Sequence, residues 1–177
     1  RTQADERLTA EHPAALIKPP GTHVETVFQL ENRLQATAEV FRAAVTTTAA
    51  TRYSPEQIAA WVGGVTDPGA WARDRSAAWT AVAESAGRVI GFADLTEDAV
   101  LDMLFVHPSA ARRGVGRRLV ETVLAEARRR GLHRVDTRAS HVARTTFERT
   151  GFVVDREDDR NTVRGVVVPN VAMHVDL

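Results

Sequence analysis

A mixed α/β fold is predicted for this chain by three observations. Trp79 to Glu84, Arg88 to Leu95 and Ala99 to Val106 are strand-length runs separated by the short turns Ser85-Ala86-Gly87 and Thr96-Glu97-Asp98, which is the pattern of an antiparallel meander. Ala99 to Gly131 then passes from strand, through a basic Gly-containing turn, into a long amphipathic helix. Arg134 to Ala139 follows as a fifth strand, and a strand–helix–strand unit ordinarily makes that pairing parallel.

Length and composition frame those elements. The chain has 177 residues, enough for one domain with a real core. The reading is an irregular N-terminal arm over residues 1–21 and a single domain over residues 22–177. Apolar residues make up 44% and charged residues 26%, an ordinary balance for a soluble globular protein. Lys+Arg and Asp+Glu both number 23, so bulk nucleic-acid binding is not expected. The absence of cysteine excludes disulfides, thiolate catalysis and Cys-based zinc sites, and no metal is expected. No apolar run approaches a membrane span and no signal-peptide core is visible, so a soluble cytoplasmic protein is the expectation.

In chain order, Arg1 to Gly21 is polar and ends in Pro19-Pro20-Gly21, which gives the arm. His23 to Leu30 alternates Val24, Thr26, Phe28 and Leu30 and is predicted as the first strand. Leu34, Thr37, Ala38, Phe41 and Val45 have helical spacing, and the β-branched run Thr46-Thr47-Thr48 should end or fray that helix. Ser54, Pro55 and Gln57 form a capping box that opens a second helix with Ile58 and Trp61 on its apolar face. Asp67-Pro68 repeats the signal for a short helix through Trp71. Trp61 and Trp71 read either as core packing or as one wall of a binding site.

Val100 to Val106 is stopped by Pro108. In the helix from Val115 to Arg130, Val115, Leu119, Val123 and Ala127 recur every fourth residue; Arg128, Arg129 and Arg130 complement the dipole and Gly131 ends it. Val142 to Thr150 is a further helix stopped by Gly151. Phe152 to Asp155 and Val166 to Val175 are the last strands, with a charged, solvated loop from Asp155 to Arg164 between them.

The turn before the long helix has a chemical use. The first amides of a helix have no intrahelical partner, and Gly114 and Gly116 let a ligand approach the backbone closely. Together they make a seat for a pyrophosphate, with a tight strand-to-helix turn as the plain alternative. A P-loop is excluded because Arg117-Arg118 stands where Lys-Ser/Thr is needed, and a dinucleotide fingerprint because position 119 is Leu. Arg112, Arg113, Arg117 and Arg118 surround the seat.

For acid–base work Asp102 stands out. Strand alternation puts it on one face with Val100, Leu104 and Val106, and a carboxylate on an apolar face is either paired or functional. It reads as a general base, or as a salt bridge to Arg138. Asp94 and Glu84 are alternatives near strand ends. His141, after Ser140 where two strands should splay, is a candidate proton relay or a solvated loop residue. His107 more simply shapes its turn.

Val106-His107-Pro108, Arg113-Gly114-Val115-Gly116 and the helix behind them resemble the acyl-CoA motif of the GNAT N-acyltransferases. That motif begins with Gln or Arg, whose place here is taken by Ala111, with Arg112 alongside as a substitute. Ala143 to Phe152 resembles the helix and Gly-Phe turn that close the family's CoA site, and Val89 to Phe92 its upstream strand, so the resemblance spans roughly Trp79 to Leu177. Tyr53 to Gln57 and Pro169-Asn170 resemble the YafP-like subgroup.

The resemblance implies a mostly antiparallel central sheet flanked by helices and acetyl-CoA (coenzyme A) as co-substrate. It implies a thioester held along Leu101 to Val106 by backbone groups of Leu104, Phe105 and Val106. Phosphates would meet the Arg112 to Arg118 turn, including Val115, with Ser140, Arg144 and Phe147 completing the cofactor site. The acceptor pocket would be bounded by Tyr53, Trp61, Asp102 and His141. Phe147 falls where the family frequently places a tyrosine acid, so the usual acid is absent. The implied partner is an amine of a small molecule or peptide, with neither nucleic acid nor membrane; a homodimer is left open. Two other readings stay open: a non-catalytic acyl-CoA-binding regulator, and an acetyltransferase of proteins or aminoacyl-tRNA, against which zero net charge argues mildly.

Overall fold

The structure, a computed structural model, describes residues 15–17 and 30–177. Its frame is a seven-stranded sheet in the order β1-β2-β3-β4-β5-β9-β6. The predicted meander forms strands β2 (Trp79–Ser85), β3 (Arg88–Leu95) and β4 (Val100–Val106), all antiparallel. Ala86 and Gly87 both hold positive φ (49° and 74°) in the β2–β3 turn, as the twist of a two-residue hairpin favours. Helix α4 (Val115–Arg129) carries the chain across to β5 (Arg134–Ala139), which runs parallel to β4. Strands β6 (Val153–Asp158) and β9 (Asn170–Asp176) complete the sheet, β9 lying between β5 and β6 and antiparallel to both.

One expectation at the N-terminus changes, and a second falls almost wholly outside the described residues. Ala15–Ile17, inside the stretch read as an irregular arm, forms strand β1 and pairs in parallel with Ala81 to Ala83 of β2. The first strand expected over His23 to Leu30 lies outside the described residues except for Leu30, which opens helix α1 (Leu30–Ala43). Past α1 the chain widens into a π turn, Ala44–Thr48, and a 3₁₀ turn, Ala49–Thr51, so the threonine run loosens the helix as expected. Helix α2 (Pro55–Val62) carries the complete capping box: Ser54 Oγ accepts from the Gln57 amide at 3.3 Å, and Gln57 Oε1 accepts from the Ser54 amide at 2.8 Å. Helix α3 (Pro68–Ser76) runs a turn beyond the expected Trp71.

The last strand is also shorter than expected. Val166 and Val167 belong to strand β8 (Val166–Val167), which pairs with β7 (Thr162–Val163) in a separate hairpin. Arg164 and Gly165 between them have φ of 52° and 83°, and Pro169, which has no amide to donate, separates this hairpin from β9. The charged loop expected from Asp155 to Arg164 is therefore strand at both ends. Helix α5 (Arg144–Glu148) is short.

Two cores sandwich the sheet. Leu119, Val120, Val123, Leu124 and Ala127 of α4 pack on Ala81, Ala93, Leu95, Leu101, Val135 and Met173. On the other face Phe41 and Val45 of the first helical segment meet Tyr53, Trp71 and Phe92, so Trp71 is a core residue. Gly91 on β3 allows α4 to sit close, since a Cβ there would lie 3.0 Å from Leu119 Cδ1.

One irregularity in β4 matters most for the site. Leu95 pairs with Leu101 and Asp94 with Met103, which leaves Asp102 without a partner on β3. This is a β-bulge, and it resets the alternation. Leu101, Leu104 and Val106 face the α4 core, whereas Met103 and Phe105 face the α1 side. Asp102 lies toward α3, not with Leu104 and Val106 as strict alternation predicted.

Candidate active site

Strands β4 and β5 pair only at Val100↔Asp136 and Leu101↔Thr137 and then part. The splay opens two connected spaces. An outer groove of about 580 Å³ runs to the N-terminus of α4, and an inner cavity of about 190 Å³ reaches back between the strands. Trp61, Leu104, Phe105, Ser140 and Ala143 line both. Beyond Leu101 the β5-facing edge of β4 has lost its partner. The His107 amide bonds Ile90 C=O at 2.8 Å, so by ladder alternation Phe105 also points to β3, and Leu104 and Val106 present their amides to the opening. Phe105 contributes its ring rather than a donor, which corrects one of the expected backbone contacts.

The groove's far end is the predicted anion seat. His107 Nδ1 accepts from the Ser109 amide at 3.2 Å and meets Ser109 Oγ at 2.7 Å, which fixes the turn as expected of His107. Arg112 and Gly114 hold φ of 60° and 79°. Gly114 is the N-cap of α4 and has no side-chain cap. The first intrahelical bond, Arg118 amide to Gly114 C=O, spans 3.1 Å, so the amides before it remain available. A Cβ on Gly116 would stand 3.5 Å from Thr146 and 3.6 Å from Val106, filling the floor of the groove. Amides, dipole, glycine floor and cations together fit a pyrophosphate.

The cations sort differently from expectation. Arg112 and Arg117 line the groove, Arg117 braced by Glu121 at 2.7 Å. Arg113 and Arg118 are exposed and outside the lining. Arg144, expected at the cofactor, is held by Glu148 at 2.8 Å and Glu157 at 2.6 Å instead, away from the groove. Arg149 lines it in their place, together with Val142 and Thr146.

The inner cavity is bounded by Tyr53, Trp61 and Asp102, as expected, and by Thr137, Arg138, Asn161 and Asn170, which sequence reasoning passed over. Tyr53 is buried and its hydroxyl is fully engaged: it donates to Pro169 C=O at 2.8 Å and accepts from the His141 amide at 3.0 Å. Burial pushes its phenol up from the ordinary value of 10.0, against the His141 hydrogen bond. Asn161 Nδ2 donates to Val168 C=O at 2.7 Å, while Asn170 Oδ1 is buried without a hydrogen-bond partner among the described residues.

Three expected residues need correcting. His141 lines neither space; its ring stacks on Tyr53 with centroids 5.9 Å apart, and its neighbour Ser140 faces the opening. Phe147 is 2% exposed, packs edge-on against Phe152 at 5.0 Å, and touches the inner cavity rather than the cofactor groove. Asp102, half exposed, does not pair with Arg138, which bonds Asp158 at 3.2 Å; Arg75 Nη1 lies 3.8 Å from Asp102 Oδ2. Glu84 is ion-paired with Arg33, and Asp94 is buried behind the wall, so neither lines the cavity. Among the described residues no cluster could hold a metal ion, and no helix is long and apolar enough to cross a membrane.

The acetyltransferase (GNAT) domain family matches residues 49–175. The chain is 33% identical over 141 residues to the uncharacterized N-acetyltransferase YafP of Escherichia coli (strain K12), covering 78% of this chain and 87% of that protein. A GCN5-related N-acetyltransferase from Rhodopseudomonas palustris superposes with a TM-score of 0.78 at 30% identity, over 82% of this chain and 91% of its own. The PaiA N-acetyltransferase of Thermoplasma acidophilum, solved in complex with coenzyme A, shares the fold with a TM-score of 0.68 at 19% identity, over 88% of this chain and 100% of its own.

Proposed function

The chain belongs to the GNAT acetyltransferase family, and we propose that it acetylates a primary amine of a small molecule or peptide, with Asp102 as the base. As a family member it is an acetyl-CoA-dependent N-acetyltransferase. The observation that carries the finer reading is the splay after Leu101, which joins the anion seat of α4 to a cavity with a carboxylate in its wall.

Each part of the cleft has a task. The α4 amides with Arg112, Arg117 and Arg149 hold phosphates, and the groove directs the acyl end toward the Leu104 and Val106 amides. Those donors face the place where charge develops on the carbonyl oxygen during attack. The amine nitrogen enters from the inner cavity, whose 190 Å³ admits one small amine-bearing group at a time. Asp102 accepts the proton the amine must lose, directly or through water, as the C–N bond forms and the C–S bond breaks. A free thiol of pKa about 8.5 leaves readily as thiolate, so the phenylalanine at 147 is compatible with water as the final proton source. Tyr53 does not serve as acid, because its one proton is already donated to Pro169.

The test is free-thiol release from acetyl-CoA across a panel of primary amines, small and peptidic. Acceleration by at least one amine, with the acetylated amine found by mass spectrometry, is expected. Tight acetyl-CoA binding without acceleration by any amine would favour the regulator instead.

A further inference from the structure

Behind Asp102 lies a charge cluster that the reaction itself does not use. Arg75, in the last turn of α3, places Nη1 3.2 Å from Asp94 Oδ2 and 3.8 Å from Asp102 Oδ2. The side chains form a graded series: Asp94 is 1% exposed, Arg75 14% and Asp102 50%. One cation thus joins a fully buried carboxylate to the one in the cavity wall.

We propose that Arg75 is a positioning residue for Asp102, and that Asp94 is the buried anchor that keeps Arg75 in place; this rests on Asp102 serving as the base. The need for such a device follows from the bulge. A strand residue ordinarily takes its direction from the ladder, but Asp102 has no partner on β3. Its aim into the cavity must be set by a side-chain contact, and Arg75 supplies the ion pair to it.

Arg75 is itself fixed from behind. Its guanidinium lies 5.0 Å from the centroid of the Trp71 ring. The Trp71 indole donates to Thr37 Oγ1 at 2.8 Å, and Thr37 donates to Leu34 C=O at 2.6 Å, so the support reaches α1. Asp94 holds the inner end of the guanidinium at 3.2 Å, opposite Thr80 on β2. Asp102, by contrast, carries its negative charge in the wall of the cavity, where an ammonium group would arrive. Arg75 Nε and Nη1 are buried without an aligned hydrogen-bond partner among the described residues. The guanidinium is therefore not locked to Asp94 by aligned bonds and can be shared with Asp102.

A double-mutant cycle tests this. Arg75→Met keeps a long apolar side chain over Trp71 and removes the charge. It should lower kcat/KM for the amine roughly 10- to 100-fold, the scale of a misplaced reacting group, with KM for acetyl-CoA within about twofold. Arg75→Lys should recover part of the loss. In an Asp102→Asn background the same Arg75→Met change should cost less than about twofold further, since a residue that acts only through Asp102 has nothing left to position. Equal losses in both backgrounds, or none in either, would overturn the proposal while leaving Asp102 as the base. Full activity of Asp102→Asn alone would remove the base and this inference together. Should Arg75→Met not fold with Asp94 left unpaired, the doubly neutral Arg75→Met/Asp94→Asn variant gives the same readout, and wild-type kcat/KM there would count against the proposal.

Discussion

The buried carboxylate on β3 makes a prediction about stability that needs no substrate. Burial pushes the Asp94 carboxyl from its ordinary 3.8 up to about 7, against the attraction of Arg75, with the Asp102 charge adding to the rise. The folded protein therefore holds a proton on Asp94 over a range where the unfolded chain has released it. Stability from this group is fully present below pH 3.8 and is lost as pH climbs to about 7. Each pH unit inside that window costs about 1.4 kcal/mol, so the part between pH 5 and 7 amounts to roughly 3 kcal/mol. Asp94→Asn cannot titrate and should lack that slope. Urea unfolding of both proteins at half-unit steps from pH 5 to 8 gives the difference curve directly. Other groups cancel in the comparison, and any loss from leaving Arg75 uncompensated displaces the curve without tilting it. The variant should gain roughly 3 kcal/mol on the wild type across the range, equivalent to about 6–12 °C in Tm for a chain of this size. Parallel curves would mean that Asp94 ionises in its ordinary range within the fold, and the argument from burial would fall.

Other outcomes are expected at the cleft. Acetyl-CoA should raise Tm, and Gly114→Asp or Gly116→Asp should abolish that shift by placing a negative charge at the phosphate seat; an undiminished shift in both would locate the phosphates elsewhere. Asp102→Asn should lower kcat/KM by roughly 10²-fold with little change in acetyl-CoA affinity, read by thiol release and calorimetry. Tyr53→Phe leaves the Pro169 carbonyl and the His141 amide without their partner and should destabilise by about 1–3 kcal/mol in urea titration. Phe147→Tyr adds a hydroxyl to a side chain 2% exposed, so it should cost about 1–3 kcal/mol unless that hydroxyl reaches the inner cavity, and unfolding with and without an amine separates the two.

What the sequence disclosed was local. The capping box at Ser54, the meander turns and the α4 stripe with Gly114 at its cap are written in neighbouring residues, and each forms as read. The reading failed wherever a residue's role depends on chain far away. No neighbour of Asp102 announces the bulge, because it arises from how β4 meets β3 across Leu95 and Asp94. Arg144 reads as part of the cofactor site, but Glu157, on the next strand, holds it. Arg149 could have been found, since α4's N-terminus and the Ala143 to Phe152 stretch were both expected at the same groove. Arg75 carried no sequence signal, being one arginine among 23 Lys and Arg residues. The β7–β8 hairpin did carry one, in Arg164-Gly165 before three valines, but the charge around it reads as a solvated loop.

That hairpin explains why the acceptor side of the cleft is built from such distant pieces. The phosphate end is made mostly by one continuous segment, from Val106 to Arg117, with Arg149 added from the end of α5, and a short motif therefore records most of it. The inner cavity has no such segment: its walls come from Tyr53 ahead of α2, Trp61 in the last turn of α2, β4 around its bulge, the end of β5, Phe147 of α5, and the strap from Asn161 to Asn170. Tyr53 ties three of these together, since its hydroxyl joins Pro169 of the strap to His141 after β5, while its ring meets Trp61 of α2 edge-on at 5.4 Å. Gln57 adds a second tie from α2 to Val167 C=O at 2.8 Å. Changes in the strap can therefore reshape the space offered to the amine while α4 and its glycine turn stay as they are. Replacing Asn161 or Val163 should accordingly alter which amine is accepted, seen as changes in amine KM, with the KM for acetyl-CoA unmoved.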